Sequence, residues 1–196
     1  MKLVIIKYNA GNIQSVLYAL ERLNVVPLVS DEPEEIRSAD KVIFPGVGEA
    51  STTMRYLRNT GLHSLIPTLR QPVLGICLGM QLMCSYSEEN DTHCLNIFDE
   101  RVRRFKTEDP AFKIPHIGWN TLEELSGPLF QGIEEPAYAY FVHSYYVELG
   151  PHTIARTPYI QPFSAALHKG NFYATQFHPE KSGKAGATLL QNFLNL

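Results

Sequence analysis

The stretch Pro72-Val73-Leu74-Gly75-Ile76-Cys77-Leu78-Gly79-Met80-Gln81-Leu82-Met83 reads as a strand that turns directly into a helix. Pro72–Ile76 is an apolar run of strand length, and Met80–Met83 can begin a helix. Between them, Gly75-Ile76-Cys77-Leu78-Gly79 has the G-x-nucleophile-x-G form of an elbow, with cysteine where hydrolases often carry serine. The flanking glycines allow the tight turn and leave room for a substrate.

Upstream, the same alternation repeats. Leu3–Ile6 predicts a strand, and Asn9-Ala10-Gly11-Asn12 a turn ending in a suitable N-cap. Ile13, Val16, Leu17, Leu20 and Leu23 then keep helical spacing. Val25–Val29 predicts a second strand, Ser30–Glu35 a helix start with acidic residues in its first turn, and Val42–Phe44 a third strand running into Pro45-Gly46-Val47-Gly48. Glu49–Arg70 is helix-rich. Strands alternating with helices imply a parallel sheet covered on both faces.

Downstream the character changes. Aromatic and β-branched runs at Tyr138–Val142, Tyr145–Leu149 and Phe172–Phe177 predict further strands, some antiparallel, before a last helix at about 184–194. The expected fold is one α/β domain over residues 1–196. Its sheet is mixed and mostly parallel, with helices on both faces and a nucleophile elbow.

Composition narrows the function. The 196 residues are 44% hydrophobic, enough for a sizeable core, and the formal charge of -3 leaves no electrostatic footprint for nucleic acid or an anionic membrane. The apolar run at the start is too short for a signal peptide, and no run reaches the roughly 18 apolar residues of a membrane span. Cys77, Cys84 and Cys94 are odd in number and lack finger-like spacing, against a disulfide framework or zinc site. These features predict a soluble cytoplasmic protein.

Ligands of such sheets sit beyond the carboxyl ends of the parallel strands. Cys77 lies there, at a helix N-terminus that favours thiolate over thiol, although a cysteine on a buried strand can equally be core. Gln176-Phe177-His178-Pro179-Glu180 supplies what a nucleophile needs. His178 and Glu180 are two apart and share a side in extended backbone, so the imidazole could draw off the thiol proton while the carboxylate fixes its tautomer. Alone, the pair could be a solvated loop. His63, His93, His116, His143, His152 and His168 lack this combination, Cys84 falls inside the expected helix where packing suits it, and His93-Cys94 has no further ligands nearby. The third-strand glycines are either turn formers or, with the Leu78 N–H, presenters of an oxyanion hole.

Pro45–Gly48, Gly75–Gln81 and Gln176–Glu180 together resemble the triad, or class I, glutamine amidotransferases. Pro115-His116-Ile117-Gly118-Trp119-Asn120, Phe141-Val142-His143-Ser144-Tyr145, Gly11–Ser15 and Lys181-Ser182-Gly183 narrow the resemblance to glutaminase subunits that serve a separate cyclase. One departure stands at Lys7-Tyr8-Asn9-Ala10, where the family often has an acidic residue and a glycine.

The resemblance implies that Cys77 attacks the side-chain amide of glutamine, His178 moves the protons and Glu180 orients His178. It implies an oxyanion hole around Val47, Gly48 and Leu78, with Gln81, Ser144 and Tyr145 near the backbone end of glutamine. It also implies transfer of ammonia to a (β/α)8-barrel cyclase in a heterodimer, with no metal or organic cofactor on this chain. Lys181 suits a partner-facing surface because lysine is seldom buried, and Trp119 with Asn120 because an aromatic anchor beside an amide is common at interfaces. Asn12 is expected on the same side. The competing readings are a stand-alone cysteine hydrolase, a glutaminase serving another synthase, and an inactive regulatory module.

Overall fold

Alternating burial along the first strands decides how the chain packs. In the computed structural model, which describes residues 1–8 and 13–196, Val4, Ile6, Val42, Phe44 and Val73 enter one core, while Leu3, Ile5, Ile43, Leu74 and Ile76 enter another. Side chains of a strand alternate between faces, so a run apolar at every position must be covered on both sides.

The first half contains β1 (Leu3–Ile6), α1 (Ile13–Glu21), β2 (Leu28–Ser30), α2 (Pro33–Arg37), β3 (Lys41–Phe44), α3 (Ala50–Asn59), α4 (Leu62–Leu65), β4 (Val73–Ile76) and α5 (Leu78–Met83). The second contains β5 (Tyr86–Ser87), β6 (Thr92–His93), β7 (Arg101–Arg104), β8 (His116–Leu122), β9 (Ala137–His143), β10 (Tyr145–Val147), β11 (Thr153–Thr157), β12 (Phe163–Lys169), β13 (Phe172–Thr175) and α6 (Gly183–Asn195). Helices α2 to α5 cover one face, α1 and α6 the other.

The main sheet runs β2-β1-β3-β4-β13-β12-β10-β7-β5-β6, with β11 beside β12. The block from β2 to β13 is parallel throughout, and from β12 outward the pairing is antiparallel except between β7 and β5. One pairing positions the site. The last strand returns beside the elbow strand in parallel, with Thr175 opposite Ile76. Cys77 and the segment from Gln176 onward therefore leave neighbouring strands at the same sheet edge.

Some boundaries differ from the sequence reading. The second strand is Leu28–Ser30, not Val25–Val29, because the Val25 N–H closes the end of α1 on the Leu20 carbonyl and Pro27 has no N–H to give. Helix α5 starts at Leu78 rather than Met80, since Cys77 alone makes the turn. Cys84 caps the end of α5 instead of lying within it, though it is fully buried as expected. The turn expected at Asn9–Asn12 lies outside the described residues.

A second sheet goes unannounced by the sequence. Strands β8 and β9 form a separate antiparallel ribbon, seven residues each, that lays Leu122, Ala137, Ala139 and Phe141 on the α6-side core. Its outer face carries Ile117, Trp119 and Tyr138, all more than half exposed.

Candidate active site

Cys77 stands at the turn between β4 and α5 with φ 53° and ψ -108°, a conformation uncommon for a residue with a side chain. The elbow glycines are explained by close approach. A Cβ on Gly79 would overlap the Phe44 carbonyl oxygen, and one on Gly75 would meet Met83 Sδ at 2.9 Å and the backbone of Gly79 and Met80 at 3.0 Å. The turn is pinned by the Cys77 N–H, which donates to the Thr175 carbonyl at 2.7 Å.

Beyond β13 the chain brings in a histidine and a carboxylate. His178 Nδ1 lies 2.7 Å from Glu180 Oε1, and both side chains are almost wholly buried. The route differs from the extended backbone the sequence suggested. Pro179–Lys181 is a single 3-10 turn, and that turn, not a strand, folds Glu180 back onto the ring. Burial opposes charge on His178, but Cys77 and Glu180 outweigh it and hold the imidazole up to about 10. Its Nε2 is buried without a hydrogen bond of ordinary geometry among the described residues.

A cavity of about 350 Å3 opens over Cys77. Val47, Gly48, Leu78, Gln81, Ser144 and Tyr145 all line it. So do Glu89, Pro115, Val142 and His143, which the sequence reading did not place there. Glu89 is half-buried, accepts the Ala50 N–H at 2.8 Å, and has its carboxyl raised chiefly by burial. No local pattern marks it, because its loop reaches the cavity only through the fold.

The Leu78 N–H does not point into the cavity as a free donor; it is given to the Gly46 carbonyl at 3.3 Å. Tyr8 donates its hydroxyl to the Pro45 carbonyl, and burial, then Cys77, push that phenol well above its ordinary range, so it stays a protonated donor. Among the described residues no group of three or more His, Cys, Asp or Glu side chains is arranged to hold a metal ion.

Trp119, Tyr140 and Lys181 share one surface. Trp119 meets the Tyr140 ring edge-on at 6.2 Å between centroids, and Lys181 Nζ lies 5.8 Å from the same ring. Trp119 is 57% exposed, which excludes a core role. The Asn120 side chain is turned away from these three. Neighbouring strand residues face opposite ways, and Asn120 Nδ2 donates to the Pro158 carbonyl at 2.7 Å. Asn12 lies outside the described residues.

Comparison with known proteins accords with this geometry. The sequence profile of the class-I glutamine amidotransferases matches residues 4–196. The chain belongs to the class I glutamine amidotransferases. Among amidotransferase relatives, the imidazole glycerol phosphate synthase subunit HisH of Bacteroides thetaiotaomicron is 60% identical over 196 residues, all of both chains. The HisH subunit of Vibrio cholerae is 48% identical, with 98% of each chain covered. At that likeness the chain also belongs with the HisH glutaminase subunits. A crystal structure of a glutamine amidotransferase shares the fold at TM-score 0.75 and 19% identity, covering 98% of this chain and 97% of that one.

Proposed function

We propose that residues 1–196 form one glutaminase domain in which Cys77, His178 and Glu180 hydrolyse L-glutamine to L-glutamate and ammonia. The observation that carries this reading is the buried His178–Glu180 pair, 2.7 Å between Nδ1 and Oε1, at the strand end beside the Cys77 elbow.

The Cys77 thiolate adds to the side-chain carbonyl of glutamine, and the carbonyl oxygen becomes an oxyanion held by backbone N–H groups around Val47, Gly48 and Leu78. Protonated His178 then gives its proton to the departing nitrogen. The C–N bond breaks and leaves ammonia and a γ-glutamyl thioester. Neutral His178 next takes a proton from water as the water attacks the thioester; the C–S bond breaks and glutamate leaves. Glu180 holds the imidazole in place and stabilises its charged form. Of the residues lining the cavity, Ser144 and Tyr145 serve the backbone end of the substrate, and the Glu89 carboxylate suits its α-ammonium.

The ammonia passes to a (β/α)8-barrel cyclase in a heterodimer. There it converts a phosphoribulosyl-formimino carboxamide ribotide into imidazole glycerol phosphate and an aminoimidazole carboxamide ribotide, a step of histidine biosynthesis in the cytoplasm. Two facts support the pairing: relatives named as synthase subunits, and an exposed aromatic and cationic surface at Trp119 and Lys181.

The test mixes the chain with the cyclase and its ribotide and follows glutamate and imidazole glycerol phosphate together. The reading expects matched release of the two, and a Cys77→Ser complex that works with added ammonia but not with glutamine. Glutamine-dependent turnover by that variant, or glutamate release indifferent to the cyclase, would overturn it.

A further inference from the structure

Cys77 Sγ has a polar neighbour the mechanism above does not use. Gln176 Nε2 lies 3.8 Å from the sulfur, and Gln176 is fully buried. Which end of that amide faces the sulfur is fixed by a chain of bonds with an unambiguous anchor. A backbone carbonyl can only accept, and the Tyr145 carbonyl accepts from Gln81 Nε2 at 2.9 Å. The same Gln81 nitrogen lies 2.9 Å from Gln176, so it must be the Gln176 oxygen that receives it. The remaining end of Gln176, its NH2 group, is then turned to Cys77.

The anchor is held from its other side. His143 Nδ1 lies 2.7 Å from the Tyr145 carbonyl and so carries the proton, which leaves His143 Nε2 to accept from His116 Nδ1 at 3.1 Å. Burial holds both rings neutral, near 3 for His143 and near 4 for His116, as this pattern of donors requires.

From this geometry we infer that Gln176 is a catalytic residue: its side-chain N–H donates to the Cys77 sulfur and supports the thiolate before attack, and Gln81 positions it. The inference rests on the reading of Cys77 as the nucleophile. As the thioester forms, the sulfur loses its charge, so this bond favours the thiolate and the regenerated enzyme. Both Gln81 N–H groups are committed inside the chain, so Gln81 can offer substrate only its oxygen.

The test follows alkylation of Cys77 by iodoacetamide at pH 7, read on the Cys77 peptide by mass spectrometry so that Cys84 and Cys94 do not interfere. Gln176→Met keeps the size and removes the donor. Loss of one hydrogen bond to a charged group predicts alkylation about tenfold slower. Glutamate release by the ribotide-loaded complex should fall similarly in kcat, with KM within about twofold. Gln176→Glu still accepts from Gln81 but turns an oxygen to the sulfur, and should be slower again. A packing role alone leaves the Met variant alkylated at the wild-type rate, and that result would overturn the inference. Should the variants fail to fold, the wild-type chain answers: alkylating Cys77 must shift a Gln176 side-chain amide proton in the NMR spectrum, and an unmoved resonance refutes the contact. The underlying reading fails separately, through Cys77→Ala that still releases glutamate.

Discussion

Replacing Gly48 with alanine should switch on the isolated chain. The Leu78 N–H is tied to the Gly46 carbonyl, and Gly48 sits at φ 124°. Turning over the peptide between Val47 and Gly48 rotates φ of Gly48 by about half a turn, into the range any L-residue adopts. Turning over the preceding peptide instead would drive Val47, which now has no positive φ, into a region costly for a β-branched residue. The movable donor is therefore the Gly48 N–H. A Cβ at Gly48 has nothing within 4 Å to meet, so the substitution acts only through torsion. It penalises the resting backbone by about 1–3 kcal/mol, which raises the flipped population by about 5- to 150-fold. The gain is capped by the worth of one oxyanion donor, about 100- to 1,000-fold. Glutamate release by the chain alone, over a range of glutamine concentrations, should show kcat raised with KM little changed, because the donor acts on the transition state. The ribotide-loaded cyclase should then activate this variant less than it activates wild type. A basal kcat unchanged or lowered in Gly48→Ala would refute the argument and leave the glycines as turn formers.

His178→Ala should lose nearly as much glutaminase activity as Cys77→Ser, while Glu180→Gln should cost about 10- to 100-fold, the worth of a charge-assisted bond; steady-state kinetics of the complex decide, and near-normal turnover by His178→Ala contradicts the assignment. The folded His178 is raised from 6.5 to about 10, so its contribution to stability is fully present below about pH 6.5 and is lost as pH rises through about 10. Urea midpoints of the wild type should therefore fall between those limits more than those of Glu180→Gln, and parallel curves would count against the coupling. Lys181→Glu should weaken binding to the cyclase in calorimetry and reduce coupled turnover, whereas unchanged values of both would remove Lys181 from the interface.

Much of the site was legible because its signals are local. Gly75 and Gly79 are required by contacts within a single strand–turn–helix unit, and His178 and Glu180 are linked by one turn. The two-sided burial of β1, β3 and β4 likewise follows from runs apolar at every position. What escaped depends on distant pairing. Nothing near Thr175 says that it will lie opposite Ile76, although that register brings the two halves of the site together. His116–Leu122, with Gly118 and Asn120 at its centre, has no apolar run to mark it as a strand, and it pairs along its whole length with the distant β9. Gln176 stood inside a quoted motif, yet its role depends on Gln81, 95 positions away.

The parts of the site differ in how firmly they are held, and that difference says where control can act. Cys77 is pinned at its turn by the N–H bond to the Thr175 carbonyl, and the His178–Glu180 pair is buried beside it. The Pro45–Gly48 segment is a connection between β3 and α3, and its nearest ties to the site are the Leu78 N–H and the Tyr8 hydroxyl. Under the proposed function, a partner that moved this segment would leave nucleophile and base in place, so control through it would act on kcat and not on substrate binding. The energetic demand is definite. To open a hole worth about 100- to 1,000-fold, the partner's ligand must bind the open arrangement more tightly than the closed one by at least that factor. Binding linkage is reciprocal. A glutamine analogue that holds the hole open must therefore tighten the ribotide on the cyclase by the same factor that the ribotide tightens the analogue.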